Sequence, residues 1–337
     1  MSSRNRGVAH RRGRCARRPA VALTGTRNEK DNGSAPSGIG DHVSTREVMG
    51  GPVRILDAGS GPVIVCCSGV ASTLWDWLPV VERLRRDHRV IVYDRPGYAQ
   101  GDRVSKQLPD LDEEAHRFAA VLTVCGVREP VTAVGHSFGG AVVEVVARVH
   151  PGRIRHLVLL DASVPSAEGA DPAHDEAATT RRFRRFTLPL ARSRVAGAVW
   201  RVVGPVVAGR LVPGRGRLMR SWPQLRVDLT SPNFLMGSLR ELAGYVACMN
   251  RLQELAAHTP LDPELDVLVV AANGRLPRIG TTRWVRHVLA RATYLSREAP
   301  VHTIVLRRSG HFVMVDHPER IAAVIASVRS GVLPAHG

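Results

Sequence analysis

Gly135-His136-Ser137-Phe138-Gly139, with Gly140 next, carries the pattern G-x-S-x-G. In that pattern the serine sits on a sharp, strained turn, and the small flanking residues let backbones pass closely. The chemistry it offers is nucleophilic attack. A hydroxyl is a poor nucleophile at neutral pH, so a base must be held against it. His311, in Ser309-Gly310-His311-Phe312, is the candidate base. The attack also needs two N–H donors aimed at the oxygen that becomes negative. Phe138 N–H, directly after the serine, is one, and Val70 N–H, in Ser68-Gly69-Val70, is the other. Gly69 lets that backbone approach closely.

The elements around these residues must bring them to one place. Continuous apolar runs at 62–67, 89–93, 131–134, 157–160, 267–271 and 303–306 read as strands buried on both faces, with a shorter strand at 53–56. Helical spacing marks 74–86, 110–125, 141–149, a stretch near 281–293 and one near 318–330. Strands alternating with helices imply a mostly parallel sheet covered on both faces. Ser137 then lies between a strand and a helix, at the C-terminal edge of the sheet. The following helix N-terminus presents free N–H groups that favour a nearby oxyanion. His311 follows strand 303–306 by a short loop and reaches the same edge. The other thirteen histidines lack that placement. The His136 side chain is expected to point elsewhere on the turn, and His150, His156 and His317 read as surface or capping residues.

Through these residues and their spacing, the chain from about 44 to 333 resembles the α/β-hydrolase superfamily. The resemblance rests on Ser68-Gly69-Val70, Asp94-Arg95-Pro96-Gly97-Tyr98, Gly135 to Gly140, Leu160-Asp161-Ala162, Gly310-His311-Phe312 and His317-Pro318-Glu319. It implies an α/β fold with an eight-stranded, mostly parallel sheet, helices on both faces and a helical cap inserted after the sixth strand. It also implies a Ser–His–acid triad, usually without cofactor or metal. Position 68, often His in such loops, is Ser here. The chain departs from the pattern at the acid. The usual carboxylate follows the strand 267–271, yet Val267 to Arg297 contains no Asp or Glu, and the loop reads Asn273-Gly274-Arg275-Leu276-Pro277. Asp266 precedes that strand and lies at the wrong end of the sheet. Asp161, at the C-terminal end of strand 157–160, is the alternative, because some family members, among the haloalkane dehalogenases, place the acid there. The competing reading is that Asp161 caps the loop into the insertion. Asp316 is expected to cap the final helix. Asp94 is expected to fix its own loop through backbone N–H groups. Trp77 reads as an anchor for its helix, and Trp75 as either an anchor or a pocket wall.

The segments follow from these elements: a basic tail at 1–43, expected to be unstructured, a first core part at 44–164, a helical cap at 165–260 and a second core part at 261–337. The chain has 337 residues, of which 44% are hydrophobic and 23% charged, which excludes a disordered chain or a fibre. Its net charge is +17, and only Lys30 and Lys106 among the 47 basic residues are lysines. With abundant Ala, Val and Gly, that arginine bias reads as compositional rather than as a nucleic-acid footprint. Residues 177 to 227 hold 12 Arg and no Asp or Glu. That stretch reads as a packed cap with a solvated basic face, and contact with a membrane surface is the second reading. The five cysteines show no zinc-like spacing, and Cys66, Cys67 and Cys125 sit in apolar runs, as small buried hydrophobes do. A reducing, cytoplasmic setting is expected, because only Ala20 to Leu23 resembles a signal-peptide core.

The function expected is hydrolysis of a small to medium hydrophobic carboxylic ester through an acyl-enzyme. C–C bond hydrolysis and acyl transfer on the same triad are the alternatives within this chemistry. From another class, the chain could be a ligand binder that kept Ser137 and His311 without catalysis.

Overall fold

The computed structural model describes residues 38–99, 107–165, 178, 181–189, 193–276 and 280–328. Most of the expected N-terminal tail, residues 1–37, and the start of the expected cap, 166–177, lie outside the described residues. Residues 38–43 do not belong to a tail. Ile39–His42 form a 3-10 turn, and Ile39 is buried against the body, because its side chain joins the apolar cluster on one face of the sheet.

Eight strands form one sheet in the order β1-β2-β4-β3-β5-β6-β7-β8. They are β1 Val43–Val48, β2 Gly51–Ala58, β3 Val63–Cys67, β4 Arg89–Tyr93, β5 Val131–His136, β6 Ile154–Leu160, β7 Asp266–Ala272 and β8 Val301–Leu306. β1 and β2 run antiparallel to their neighbours, and every other pair is parallel. The helices between strands are α1 Leu78–Leu84, α2 Leu111–Val124 and α3 Phe138–Val149. Between β6 and β7 come a short helical segment around Phe183–Thr187, then α4 Arg194–Leu211, α5 Arg215–Ser221, α6 Pro223–Thr230 and α7 Pro232–His258. After β7 follow α8 Arg283–Leu295, α9 Val313–Asp316 and α10 Pro318–Ser327.

The apolar runs are buried on both faces because each strand feeds two cores. Val63, Val65 and Cys67 of β3 face one cluster with α2, α3 and α8, whereas Ile64 and Cys66 face the other with α1 and α10. The side-chain period of two along a strand produces this split. α7 bridges insertion and core: Cys248, Met249 and Leu252 in its second half join the first cluster. Cys66, Cys67, Cys125 and Cys248 are buried free thiols.

Candidate active site

Parallel strands deliver their C-terminal ends to one edge, and the backbone there is stitched across four strands. Ser137 N–H donates to Leu160 O at 3.2 Å, Asp161 N–H to Val270 O at 2.6 Å, and Asn273 N–H to Leu306 O at 2.9 Å. Ser137 directly follows β5 with φ 53° and ψ −123°. Asp161 directly follows β6 with φ 43°. Both non-glycine residues sit in the left-handed region, at a cost of about 1–3 kcal/mol each, held there by their neighbours. The glycines around Ser137 permit the turn. A Cβ on Gly139 would lie 2.2 Å from Cys67 O, and one on Gly135 2.4 Å from Gly139 O.

The structure brings Asp161 and His311 together. His311 Nδ1–H donates to Asp161 Oδ2 at 2.6 Å. The other carboxylate oxygen, Oδ1, accepts from Ala272 N–H at 2.9 Å and from the Trp284 indole N–H at 2.8 Å. Asp161 itself is almost fully buried. Three donors from β7, α8 and the loop after β8 therefore converge on one carboxylate. The loop where the usual acid would stand holds Arg275 instead, and Arg275 turns to Asp316. Its Nε and Nη2 lie 3.1 and 2.8 Å from the two Asp316 oxygens.

Asp316 does not cap the final helix. α10 starts after His317 and has no side-chain cap. The Asp316 carboxylate instead accepts from Gly310 N–H at 2.7 Å, one residue before His311. Asp94 also acts differently from expectation. Its Oδ1 accepts from Leu74 N–H, in another loop, at 2.8 Å, and its Oδ2 accepts from Arg54 Nε at 2.6 Å. The chain at Asp94 already continues a strand ladder, so the side chain is free to serve the neighbouring loop.

Contrary to expectation, His136 does not point elsewhere on the turn but packs against His311. Its ring lies 4.7 Å from that of His311, and Nε2–H donates to the His311 backbone carbonyl at 2.8 Å. Burial, reinforced by the adjacent His311, drives the His136 imidazole well below its ordinary pKa. A neutral imidazole has one N–H, and the carbonyl partner fixes it on Nε2. Nothing in the local sequence marks this bond, because the partner is 175 residues away.

The loop carrying Val70 is clamped from both sides. A Cβ on Gly69 would fall 2.7 Å from Ser137 Cβ, so this loop lies directly against the serine. Arg95 donates to Ser68 O and to Gly69 O, and holds Glu241 of α7 through Nε and Nη2 at 2.9 and 2.8 Å. Tyr98 OH donates to Glu241 at 2.6 Å and accepts from Ala71 N–H at 2.9 Å. Arg215 of α5 donates to Ala71 O at 2.6 Å, binds both oxygens of Asp76, and stacks on Phe312 at 4.5 Å. With these carbonyls held, the orientation of the Val70 peptide is fixed by its neighbours on both sides. Phe138 is the first residue of α3, where N–H groups have no intrahelical acceptor.

Trp77 is a buried anchor whose indole N–H donates to Ser68 Oγ at 3.0 Å. Trp75 is buried and donates to Asp228 of α6 at 2.8 Å, with Arg54 stacked on its ring. Among the described residues, no group of three or more His, Cys, Asp or Glu could hold a metal ion. No helix among them is long and apolar enough to cross a membrane.

Comparison with known proteins agrees with this architecture. A profile described as the alpha/beta hydrolase family matches residues 64–324. A 2-hydroxymuconate semialdehyde hydrolase of Pseudomonas sp. (strain CF600) is 31% identical over 134 residues, covering 37% of this chain and 47% of that protein. This chain aligns with less than half the length of several such curated relatives. An uncharacterized protein of Mycobacterium tuberculosis is 28% identical over 293 residues, covering 82% of this chain and 78% of its own. Among solved structures, a thermophilic esterase from Thermogutta terrifontis superposes with a TM-score of 0.60 at 18% identity, covering 87% of this chain and 99% of that one. That last likeness concerns the fold alone. The profile covers most of the chain, so this protein belongs to the α/β-hydrolase family.

Proposed function

We propose that the protein is a serine hydrolase acting on a small to medium hydrophobic carboxylic ester. The observation that carries the reading is the Asp161–His311 contact of 2.6 Å at the sheet edge where Ser137 follows β5. With Nδ1 taken by Asp161, Nε2 of His311 is the nitrogen left to accept the Ser137 proton. Ser137 Oγ attacks the acyl carbon, and the C–O bond to the alcohol breaks as His311 returns the proton to the leaving oxygen. Val70 and Phe138 N–H groups hold the negative oxygen of the tetrahedral intermediate. Water, deprotonated by His311, then releases the acid and restores Ser137. The Asp161 carboxylate keeps the imidazole in the required tautomer and stabilises the imidazolium. No metal or cofactor enters these steps.

Cleavage of a C–C bond by the same Ser–His pair is the second reading, favoured by the sequence likeness to the 2-hydroxymuconate semialdehyde hydrolase. A panel of p-nitrophenyl esters of increasing chain length separates the two. The native protein is expected to turn over the shorter esters. Ser137→Ala should cut kcat by about 10³ or more with an unchanged melting temperature. Near-full activity in that variant contradicts the serine mechanism. Absence of turnover at every chain length, in a protein whose serine still reacts with an acylating probe, moves the assignment to the second reading.

A further inference from the structure

The insertion turns an apolar face outward. α4 packs on its neighbours through small residues: a Cβ on Gly204 would meet Leu229 O of α6 at 2.7 Å, and one on Gly197 would meet Pro232 of α7 at 3.4 Å. Its other face carries Val195, Val199, Val202 and Val206, which are 74, 52, 74 and 55% exposed. At 3.6 residues per turn these four fall within an arc of roughly 60°, a single strip along the helix. One exposed valine is ordinary, but a contiguous strip marks a contact surface. Ordinary amphipathic helices of soluble proteins place the polar residues where this helix places valines.

Charge selects the partner. Arg194, Arg201 and Arg210 of the same helix are exposed. Across 177–227 there are 12 Arg and no Asp or Glu. Asp228, the first acid after that stretch, is already bound to Arg54 at 2.5 Å. A second copy of the chain seated on the strip would bring like charges together. An anionic bilayer supplies both things the face lacks: an apolar layer for the valines and phosphates for the arginines. We propose that α4 lies on an anionic lipid surface, with the valine strip at the boundary between headgroups and acyl chains. Docking is independent of the hydrolase reading. Its consequence, that the ester is drawn from the bilayer, rests on that reading. The chain supports it locally, since α4 leads within a few residues to Arg215, which touches both Ala71 and Phe312 beside the site.

The test is co-sedimentation of the full chain with sucrose-loaded phosphatidylcholine vesicles, with and without phosphatidylglycerol. The native protein is expected to bind when phosphatidylglycerol is present, and to release as salt rises. Val202→Asp with Val206→Asp should weaken partitioning about tenfold or more, since the strip can no longer enter the apolar layer. Arg201→Glu with Arg210→Glu is the companion variant, which weakens binding without touching the valines and decides the matter if the first variant misfolds. Equal binding by native protein and both variants overturns the proposal and places attachment on the arginine-rich N-terminal stretch. So does absence of lipid-dependent binding, or a dimer split by the valine variant without vesicle binding. Hydrolysis of a soluble ester is expected to be unchanged in both variants. If the native protein lacks that hydrolysis, the hydrolase reading fails while a positive docking result stands.

Discussion

Asp161 serves two purposes with one carboxylate: Oδ1 ties together β7 and α8, and Oδ2 orients His311. Asp161→Asn keeps the shape but presents an amide to Nδ1. It is expected to lower kcat by about 10²–10⁴ with little change in KM, measured on the best ester of the panel. Asp316→Asn provides the contrast. It loosens Arg275 and the Gly310 N–H rather than the His311 ring, so it should lower the melting temperature with a much smaller loss of kcat. Equal losses in the two variants would remove the distinction between orienting the base and bracing its loop. Ser137 and His311 were legible because their cues are local: a turn motif between strand and helix, and a histidine just past a late strand. Asp161 was suggested by the absence of any acid from Val267 to Arg297 together with the resemblance, since some family members place the acid at the end of that earlier strand. The roles of His136 and Asp316 were not legible. Both depend on backbone groups that only the folded chain brings near, and a short polar residue before a helix reads as a cap from sequence alone.

At the level of elements, among the described residues, two buried ion pairs tie the insertion to the core, Arg95 with Glu241 and Arg215 with Asp76, and Arg54 with Asp228 adds a partly buried one. Buried pairs add little net stability, but removing one partner strands a buried charge at a cost of about 3–5 kcal/mol. Glu241→Gln leaves Arg95 without its counter-charge while Arg95 still holds the Ser68 and Gly69 carbonyls. A lower melting temperature is expected together with a fall in kcat larger than any rise in KM, because the disturbed loop carries the proposed Val70 donor. A stability loss with normal kcat would mean that the clamp does not position that loop. Arg54 also meets Asp94, so two carboxylates share one guanidinium. Burial pushes the Asp94 carboxyl up to about 6, with Arg54 opposing and Asp228 reinforcing the shift. Its neutral form therefore favours the fold. That contribution is full below the ordinary value of 3.8 and is lost as pH rises through about 6. Asp94→Asn keeps an acceptor for Leu74 N–H and stays neutral throughout. Thermal melts should show it losing less stability than the native protein between about pH 4 and 7. Parallel curves would contradict the shift. These pairs were invisible in the sequence, because Arg95 stood in a recognised motif without its partner, and arginine was too common to single out Arg54 or Arg215.

For the whole molecule, the alternation of apolar runs and helical periods was sufficient to give the parallel sheet and the place of the insertion. The strand it missed was β1, whose Val-Ser-Thr-Arg-Glu-Val lies at the sheet edge with polar residues exposed, so no continuous apolar run marks it. The net charge is a coarser signal than these elements. It is a property of the whole chain, and only the structure shows how arginines divide between buried clamps such as Arg95 and Arg215 and the open face around α4. The central claim is that Ser137 is an activated nucleophile served by His311 and Asp161. Intact-protein mass spectrometry after exposure to a fluorophosphonate tests it most directly. One adduct on Ser137 is expected in the native chain, none in Ser137→Ala, and formation slowed by about 10² or more in Asp161→Asn. A native protein that stays unlabelled, or a Ser137→Ala variant that labels as fast as the native one, would contradict it.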